Sequence, residues 1–271
     1  MTSKTILPPT GNTHDYLSWR PYFWPNCANT GNTTELAPEV IWTTCQYERR
    51  DGLFNPDVRL VNDTGAFQAM SDAVFYNVLA WKITGDNTYS SNAVNFINTW
   101  FINPDTYMNP NLDYAQTLRG PSTGAPKGSH TGVLDLKGMA KIAGAILVLR
   151  DSSSSDWTSD LDSKLVAWCN QYITWLKTSP LALEEKAATN NHGSFYFTQL
   201  SAIQVIVRDY AGARGTLEEY FNGIYQDQIT AEGEQVCLFL SGVAALGFLM
   251  PRHRLEAIRS GPHASIPLPS L

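Results

Sequence analysis

The chain has 271 residues, of which 43% are hydrophobic and only 16% are charged, and its net charge is −6 at pH 7. This composition excludes a disordered or collagen-like chain, and the length allows one large domain to bury its core without metal or disulfide support. The sequence has no long basic run and no apolar stretch of membrane-spanning length, so we expect neither nucleic-acid nor membrane partners.

The first third of the chain changes from irregular to helical patterning. Residues 1–35 are rich in proline and asparagine and predict an irregular N-terminal arm. From Thr64, apolar residues recur at three- and four-residue steps, which predicts a helix that has Thr64 as its N-cap and ends at Gly85. Asp86 is then expected to cap a second helix. The polar stretch 103–131 predicts a long loop, either functional or disordered.

Helical periodicity returns in the second half, and no alternating strand pattern is visible. The sequence therefore predicts an all-α fold, a single domain over residues 1–271 built from helical hairpins. Further helices are expected over residues 133–149, from Asp156 or Ser159 to a break at Pro180, over residues 194–210 and over residues 213–228.

Four cysteines do not form a zinc or redox motif, because no C-x-x-C spacing occurs. Cys27 and Cys45 bracket a loop and would be able to pair in an oxidising compartment. The N-terminus lacks a secretory leader, so either the protein stays inside the cell or the leader is missing from this chain. Asn32 and Asn62 begin glycosylation sequons, which lean mildly towards secretion.

The strongest local signal is Asn190-Asn191-His192, which precedes a predicted helix. A helix N-terminus offers free N–H donors and a positive dipole end, both suited to an anion such as a carboxylate. The alternative interpretation is that the two asparagines are ordinary N-caps and that His192 is a first-turn residue.

Three other segments carry residues suited to sugar binding. Aromatic side chains of the arm could stack on sugar rings or simply pack on the core, and Arg50 could bind substrate or lie in a surface turn. The long loop is rich in hydrogen-bonding side chains. The residues concerned are His14, Tyr16, Tyr22 and Trp24 in the arm, Arg50, and Asn111, Tyr114, Gln116 and Arg119 in the loop.

Taken together, these segments resemble the alginate-lyase-like polysaccharide lyases, which include fungal members and relatives acting on glucuronan. The resemblance spans residues 14–235 and implies an incomplete (α/α) toroid. It rests on His14-Asp15-Tyr16, Tyr22-Phe23-Trp24-Pro25, Arg50-Asp51-Gly52 with Asn55-Pro56, residues 111–116, and Asn190-Asn191-His192.

The resemblance implies β-elimination on an anionic, uronic-acid polysaccharide, without a cofactor or a metal. Asn191 would neutralise the substrate carboxylate and His192 would act as base or neutraliser. A secreted monomer is expected. The residues implied in substrate binding are His14, Tyr16, Tyr22, Trp24, Arg50, Asn111, Tyr114, Gln116, Arg119 and Asn190.

The C-terminal tail, residues 236–271, departs from the family pattern. Ser241 and Gly247 stand roughly where the family has a catalytic Arg and Tyr. We interpret the change at Val236 as a frameshift, retained intron or alternative splice, with true divergence as the alternative. Loss of the acid/base predicts weak or no activity, because such a group contributes about 10²–10⁴-fold. Tyr114 or Tyr196 could in principle substitute.

Two other functions remain open from the residues. An inverting glycoside hydrolase needs two carboxylates across a cleft, and Asp51, Asp113, Asp135 and Glu184 are candidates. A carbohydrate-binding protein without catalysis could use Tyr22, Trp24 and the loop that contains Asn111 and Arg119. In either case an anionic ligand needs a local positive patch, for which the candidates are Arg49, Arg50, Arg119, Lys127, His130 and Lys137.

Overall fold

Helices make up most of the part of the chain that the structure describes. The computed structural model describes residues 3–31, 34–121 and 127–229. Within these ranges, no helix is both long and apolar enough to cross a bilayer. The α-helices are α1 (Pro38–Thr44), α2 (Asp63–Thr84), α3 (Asn87–Ile97), α4 (Met139–Asp151), α5 (Ser159–Thr178), α6 (Pro180–Lys186), α7 (Asn191–Ile206), α8 (Tyr210–Asn222) and α9 (Ile224–Gln228).

The first helical hairpin, α2 and α3, closely follows the prediction. Gly85 ends α2 with a left-handed φ of 73°, and the Asp86 side chain caps α3 by accepting from the Thr88 N–H. The predicted N-cap is wrong by two positions, because Asn62 precedes α2 and the Thr64 hydroxyl instead donates to Asp135 at 3.0 Å. The predicted apolar stripe is confirmed, since the buried residues of α2 include Phe67, Met70, Val74 and Val78.

The later helices differ from the prediction mainly at prolines and glycines. Pro180 ends α5 as expected, but it also occupies the first turn of α6, a short helix that the sequence did not predict. Gly223 divides the helix expected over residues 213–228 into α8 and α9. The predicted helix over residues 133–149 begins as a 3₁₀ turn, His130–Leu136, before α4.

The core lies between the hairpins. Helix α2 packs against α3 and α4, α4 packs against α7, and α7 also contacts α5, α6 and α8. Large side chains fill the space between them, with Phe67, Ile146, Tyr172 and Tyr196 all at most 1% exposed. This chain of paired helices is the arrangement expected for an incomplete (α/α) toroid.

A small antiparallel hairpin and an isolated bridge between Trp19 and Thr117 depart from the helical pattern within the described residues. Strand β1 (Phe23–Asn26) pairs with β2 (Gln46–Arg49), and a disulfide joins Cys27 to Cys45 beside it. Each strand has four residues, and β1 has no buried face, so neither shows the long alternation that marks a strand in sequence. The arm of residues 1–35 therefore contains regular structure, while the tail of residues 236–271 lies outside the described ranges.

Candidate active site

The N-terminus of α7 holds the strongest sequence motif. The Asn190 side chain accepts a hydrogen bond from the His192 N–H at 3.0 Å, so Asn190 is the N-cap of α7. Asn191 is the first helical residue and is exposed, and His192 follows it, half-buried. This end of α7 therefore presents an amide side chain and an imidazole beside the positive end of a four-turn helix dipole.

A buried carboxylate from the unpredicted helix α6 lies beneath this motif. Glu185 is 0% exposed. Its Oε2 is hydrogen-bonded to His130 Nδ1 at 2.5 Å. Its Oε1 lies 2.9 Å from His192 Nδ1, but the angles at this contact do not meet those of a hydrogen bond. The two imidazole rings are 6.3 Å apart. We refer to His130, Glu185 and His192 as the His–Glu–His cluster.

Two glycines allow the elements of the cluster to approach each other. A Cβ at Gly193 would collide with the Ala188 carbonyl, so glycine is needed where the first turn of α7 meets the end of α6. A Cβ at Gly132 would lie 2.8 Å from the Ala115 carbonyl oxygen, which is too close for any other residue. Gly132 thus brings the 3₁₀ turn that carries His130 against the loop at residues 113–116.

Two members of the cluster, Glu185 and His130, stabilise each other's ionised forms. Burial by itself would raise the pKa of Glu185, but the hydrogen bond from His130 and the close approach of His192 outweigh it and lower that pKa. The hydrogen bond to Glu185 raises the pKa of His130, although burial and the charge of Arg20 oppose the shift. Glu185 is therefore an anion that orients two imidazoles.

Gln116 and Arg20 adjoin the cluster through the loop. Gln116 adopts a left-handed φ of 50°, and its Oε1 accepts from the Thr131 hydroxyl at 2.7 Å, next to His130. The Gln116 carbonyl accepts from Arg20 Nε at 3.3 Å. The charges of Glu184 and Arg49 both act on the half-buried Arg20 guanidinium, whose pKa is lowered chiefly by burial. The charge of Arg20 also acts on His130.

A second buried carboxylate, Asp135, holds the loop in place. Its side chain accepts hydrogen bonds from the hydroxyls of Tyr16, Ser18 and Thr64 and from Gln116 Nε2. Tyr16 is 1% exposed, so it joins this network rather than facing solvent. Burial of the hydroxyl, together with the negative charge of Asp135, raises the pKa of Tyr16 well above its ordinary value.

The remaining arm residues lie along the β hairpin and the loop beside it. His14 Nδ1 is 2.6 Å from the Tyr107 carbonyl oxygen. Trp24 Nε1 donates to the Leu53 carbonyl at 2.9 Å, and the exposed Arg50 guanidinium lies 5.9 Å from the Trp24 ring. Tyr22 is 43% exposed. These aromatic and cationic groups offer an accessible surface, but no contact links them to the His–Glu–His cluster.

Of the other loop residues, Arg119 is the most deeply placed. Its guanidinium is sandwiched between the rings of Trp19 at 4.3 Å and Tyr47 at 4.5 Å, and its side chain is 4% exposed. The Asn111 side chain accepts from the Asp113 N–H at 3.2 Å. Tyr114 packs against a small buried group formed by Leu17, Trp19 and Val61. Arg119 therefore fixes the arm against the loop, and it is inaccessible as part of a positive patch.

The structure thus brings Gln116 and the Asn190–His192 motif to one place, together with three groups that the motif analysis did not assign to the site. The sequence predicted His130 only as a candidate for a positive patch, and it predicted no role for Glu185 or Arg20. Glu185 had a detectable signal: it shares the buried face of α6 with Ala182, three residues earlier, and an acidic residue on an apolar face requires a buried partner. Arg20 had no local signal.

The candidate hydrolase carboxylates are mostly bound to structural partners. Asp135 is enclosed in its network, Asp113 accepts from Trp175 Nε1 at 2.7 Å, and Asp51 pairs with Arg49 at 2.5 Å. Glu184 lies 3.6 Å from His130. The positions of the expected family Arg and Tyr, Ser241 and Gly247, lie outside the described ranges.

Comparison with known proteins identifies the family. The family model described as alginate lyase matches residues 1–237. An alginate lyase from Bacteroides ovatus, known from its crystal structure, is 32% identical in sequence to this chain. The structural match has a TM-score of 0.73 and covers 86% of this chain and 57% of that one. Alginate lyase A1-III from Sphingomonas species A1 is 16% identical with a TM-score of 0.45, over 87% of this chain and 55% of that one. No curated protein matches.

The chain therefore spans a little over half the length of the solved alginate lyases that it matches. The likeness to the Bacteroides ovatus structure confirms the predicted all-α fold, an incomplete (α/α) toroid. The family match over residues 1–237 and this structural likeness agree with each other and with the site motif, and the chain belongs to the alginate lyase family.

Proposed function

We propose that this protein is a polysaccharide lyase that cleaves a uronic-acid polysaccharide, alginate or glucuronan, by β-elimination. The observation that carries the proposal is the contact between buried Glu185 and His192. Nδ1 of the imidazole faces the carboxylate, while Nε2 has no protein partner among the described residues. A carboxylate at one ring nitrogen fixes the tautomer in which the other nitrogen is a free base.

The reaction needs a base for the proton on C5 of the uronate. In the proposed step His192 Nε2 takes this proton, the electron pair forms the C4–C5 double bond, and the C4–O4 bond breaks. The departing O4 takes a proton from an acid. Tyr196 is poorly placed as that acid, because its hydroxyl donates to the Leu176 carbonyl at 2.9 Å and burial raises its pKa to about 12.

The C5 proton becomes acidic enough to remove only when the neighbouring carboxylate is neutralised. Asn191 at the end of α7 can donate to that carboxylate, as the family resemblance implies. His130 and Arg20 add positive charge beside it, and the positive end of the α7 dipole favours an anion. These groups give an acidic protein a local site for a polyanion.

The experiment is to follow the near-ultraviolet absorbance of the unsaturated product during incubation with alginate, glucuronan and chondroitin. We expect product from at least one polymer and a loss of about 10²–10⁴-fold in the His192→Ala variant. Thr198→Ala, on the exposed side of the same helix, is the matched control and should keep the wild-type rate. A folded protein that leaves all three polymers intact would contradict the proposal.

A non-catalytic carbohydrate-binding role is the second candidate, and the sequence of the tail favours it. Ser241 and Gly247 replace the Arg and Tyr that the family resemblance leads us to expect. Binding of alginate oligosaccharides by calorimetry, with no unsaturated product formed, would support binding alone. Product formation that is lost in His192→Ala would exclude it.

We also propose that the protein works outside the cell as a monomer. The disulfide between Cys27 and Cys45 supports the location, because such bonds persist in oxidising compartments. If this is correct, protein isolated from culture medium should contain the bond, as measured by thiol labelling with and without a reductant. Sedimentation of the purified chain tests the monomer.

A further inference from the structure

We propose that His130, Glu185 and His192 bind a divalent transition-metal ion of the zinc type. Each residue offers one ligand atom, and the three ligand atoms lie within 4.8 Å of one another. Two imidazole nitrogens and one carboxylate oxygen form a common ligand set of zinc sites that keep one coordination position open. The site departs from the expectation, made from sequence, that no metal is bound.

The burial of the three residues suits an ion that is reached from one side. Glu185 is fully buried and held by α6, so the carboxylate needs little ordering to bind a metal. The side chains of His130 and His192 are 34% and 27% exposed, respectively. Their partial exposure leaves a route for the ion and space for a water molecule or a substrate oxygen as the fourth ligand.

The surroundings of the cluster contain one favourable and one opposing charge. Glu184 Oε1 lies 3.6 Å from His130 Nε2, the ring nitrogen that faces away from Glu185. Such a carboxylate, placed behind a ligating histidine, orients the ring and strengthens its binding to metal. The charge of Arg20, which acts on His130, opposes a cation. Selectivity should favour zinc over magnesium, because magnesium prefers oxygen ligands in an octahedron.

Metal binding would have a consequence for the reaction, and this consequence rests on the proposed function. A metal bound at His192 Nδ1 takes the place of the proton there, so a neutral imidazole must carry its proton on Nε2. That nitrogen then has no lone pair with which to accept the C5 proton. Zinc should therefore inhibit the lyase, and a chelator should restore it.

The direct test is isothermal titration calorimetry of the purified full chain with Zn²⁺ and, separately, with Mg²⁺. We expect zinc binding that is weakened at least about tenfold in His130→Ala and in His192→Ala, with no comparable magnesium binding. His14→Ala is the matched control, because this histidine contacts the Tyr107 carbonyl and not the cluster. It should bind zinc as the wild type does.

Equal zinc affinity in the wild type, His130→Ala and His192→Ala, each shown by circular dichroism to be folded, would overturn the proposal. The comparison with His14→Ala shows whether the loss of any histidine lowers the zinc affinity or only the loss of one in the cluster. Because calorimetry does not depend on turnover, a protein that binds zinc at the cluster but forms no product would refute the proposed lyase and leave the metal site standing.

Discussion

Two carboxylates of this protein are buried to a similar degree, but their pKa values are shifted in opposite directions. Asp135 is 6% exposed and Glu185 is 0% exposed. Burial raises the pKa of Asp135 despite four hydrogen bonds from neutral side chains, whereas the pKa of Glu185 is lowered, because two imidazoles offset its burial. The chemistry of the partners, rather than depth, decides the direction in which the pKa of each carboxylate shifts.

The opposite pKa shifts of Asp135 and Glu185 agree with the positions of the two residues in the fold. Asp135 gathers hydroxyl and amide donors from the arm, α2 and the loop, so it fixes separate segments relative to one another. Glu185 contacts two histidines, so it orients their rings. Gln116 connects the two regions, because its Nε2 donates to Asp135 and its Oε1 accepts from Thr131, the neighbour of His130.

The largest expected effect follows from neutralising Glu185. Glu185→Gln keeps the shape of the side chain but removes the negative charge that orients His192. We expect the lyase rate to fall roughly 10²–10⁴-fold, as when an orienting carboxylate is lost from a catalytic histidine. The measurement is kcat from product absorbance. A rate near that of the wild type would show that His192 does not depend on Glu185.

Removing Asp135 should affect stability instead. Asp135→Ala leaves several buried donors without an acceptor, and we expect a loss of about 2–4 kcal/mol in the free energy of unfolding. The control is Asp160→Ala, which breaks an exposed pair with Lys164 and should cost less than about 0.5 kcal/mol. Urea unfolding compares the two variants. Equal losses of unfolding free energy in the two variants would show that the buried Asp135 network stabilises the fold no more than an exposed ion pair does.

Arg20→Gln tests the charge beside the cluster. Loss of one charged contact to a polyanion should raise KM about tenfold, the equivalent of roughly 1.4 kcal/mol, with a smaller change in kcat. Arg214→Gln removes an exposed arginine of α8 and should leave KM unchanged. If both variants respond alike, net charge rather than the position of Arg20 determines substrate affinity.

The smallest effect is the pH dependence of stability. The pKa of His130 is raised in the folded state, so its contribution is fully present below the ordinary value of 6.5 and is lost as pH rises through the folded pKa. The pKa of Glu185 is lowered, so its contribution is present above 4.5 and is lost as pH falls through the folded pKa.

Unfolding in urea between pH 3 and pH 9 separates these contributions. His130→Gln should flatten the alkaline side of the stability curve, and Glu185→Gln should flatten both sides, because the raised pKa of His130 depends on Glu185. If both variants keep the wild-type pH dependence of unfolding at acidic and alkaline pH, the cluster does not contribute to the pH dependence of stability. The variant pair thus tests whether the two groups stabilise each other's charges.

Much of the helical architecture was predictable, because it depends on local sequence. The apolar spacing of α2, the glycine after it and the Asp86 cap all act within a few residues. Short elements were missed, since β1, β2, α1 and α6 each have at most seven residues and carry too few side chains for a period to show. Thr64 looked like a cap, but its hydroxyl found a better acceptor, Asp135, far along the chain.

The sequence by itself determined the family, the helical class and the motif of Asn190 and His192, because these depend on local order and periodicity. Only the tertiary structure decided what His192 faces. Glu185, His130 and Arg20 come from separate segments, and their charge states follow from distances between groups that are far apart in sequence. An interaction through space leaves no periodic trace along the chain, so the partners of His192 become visible only when the helices are packed.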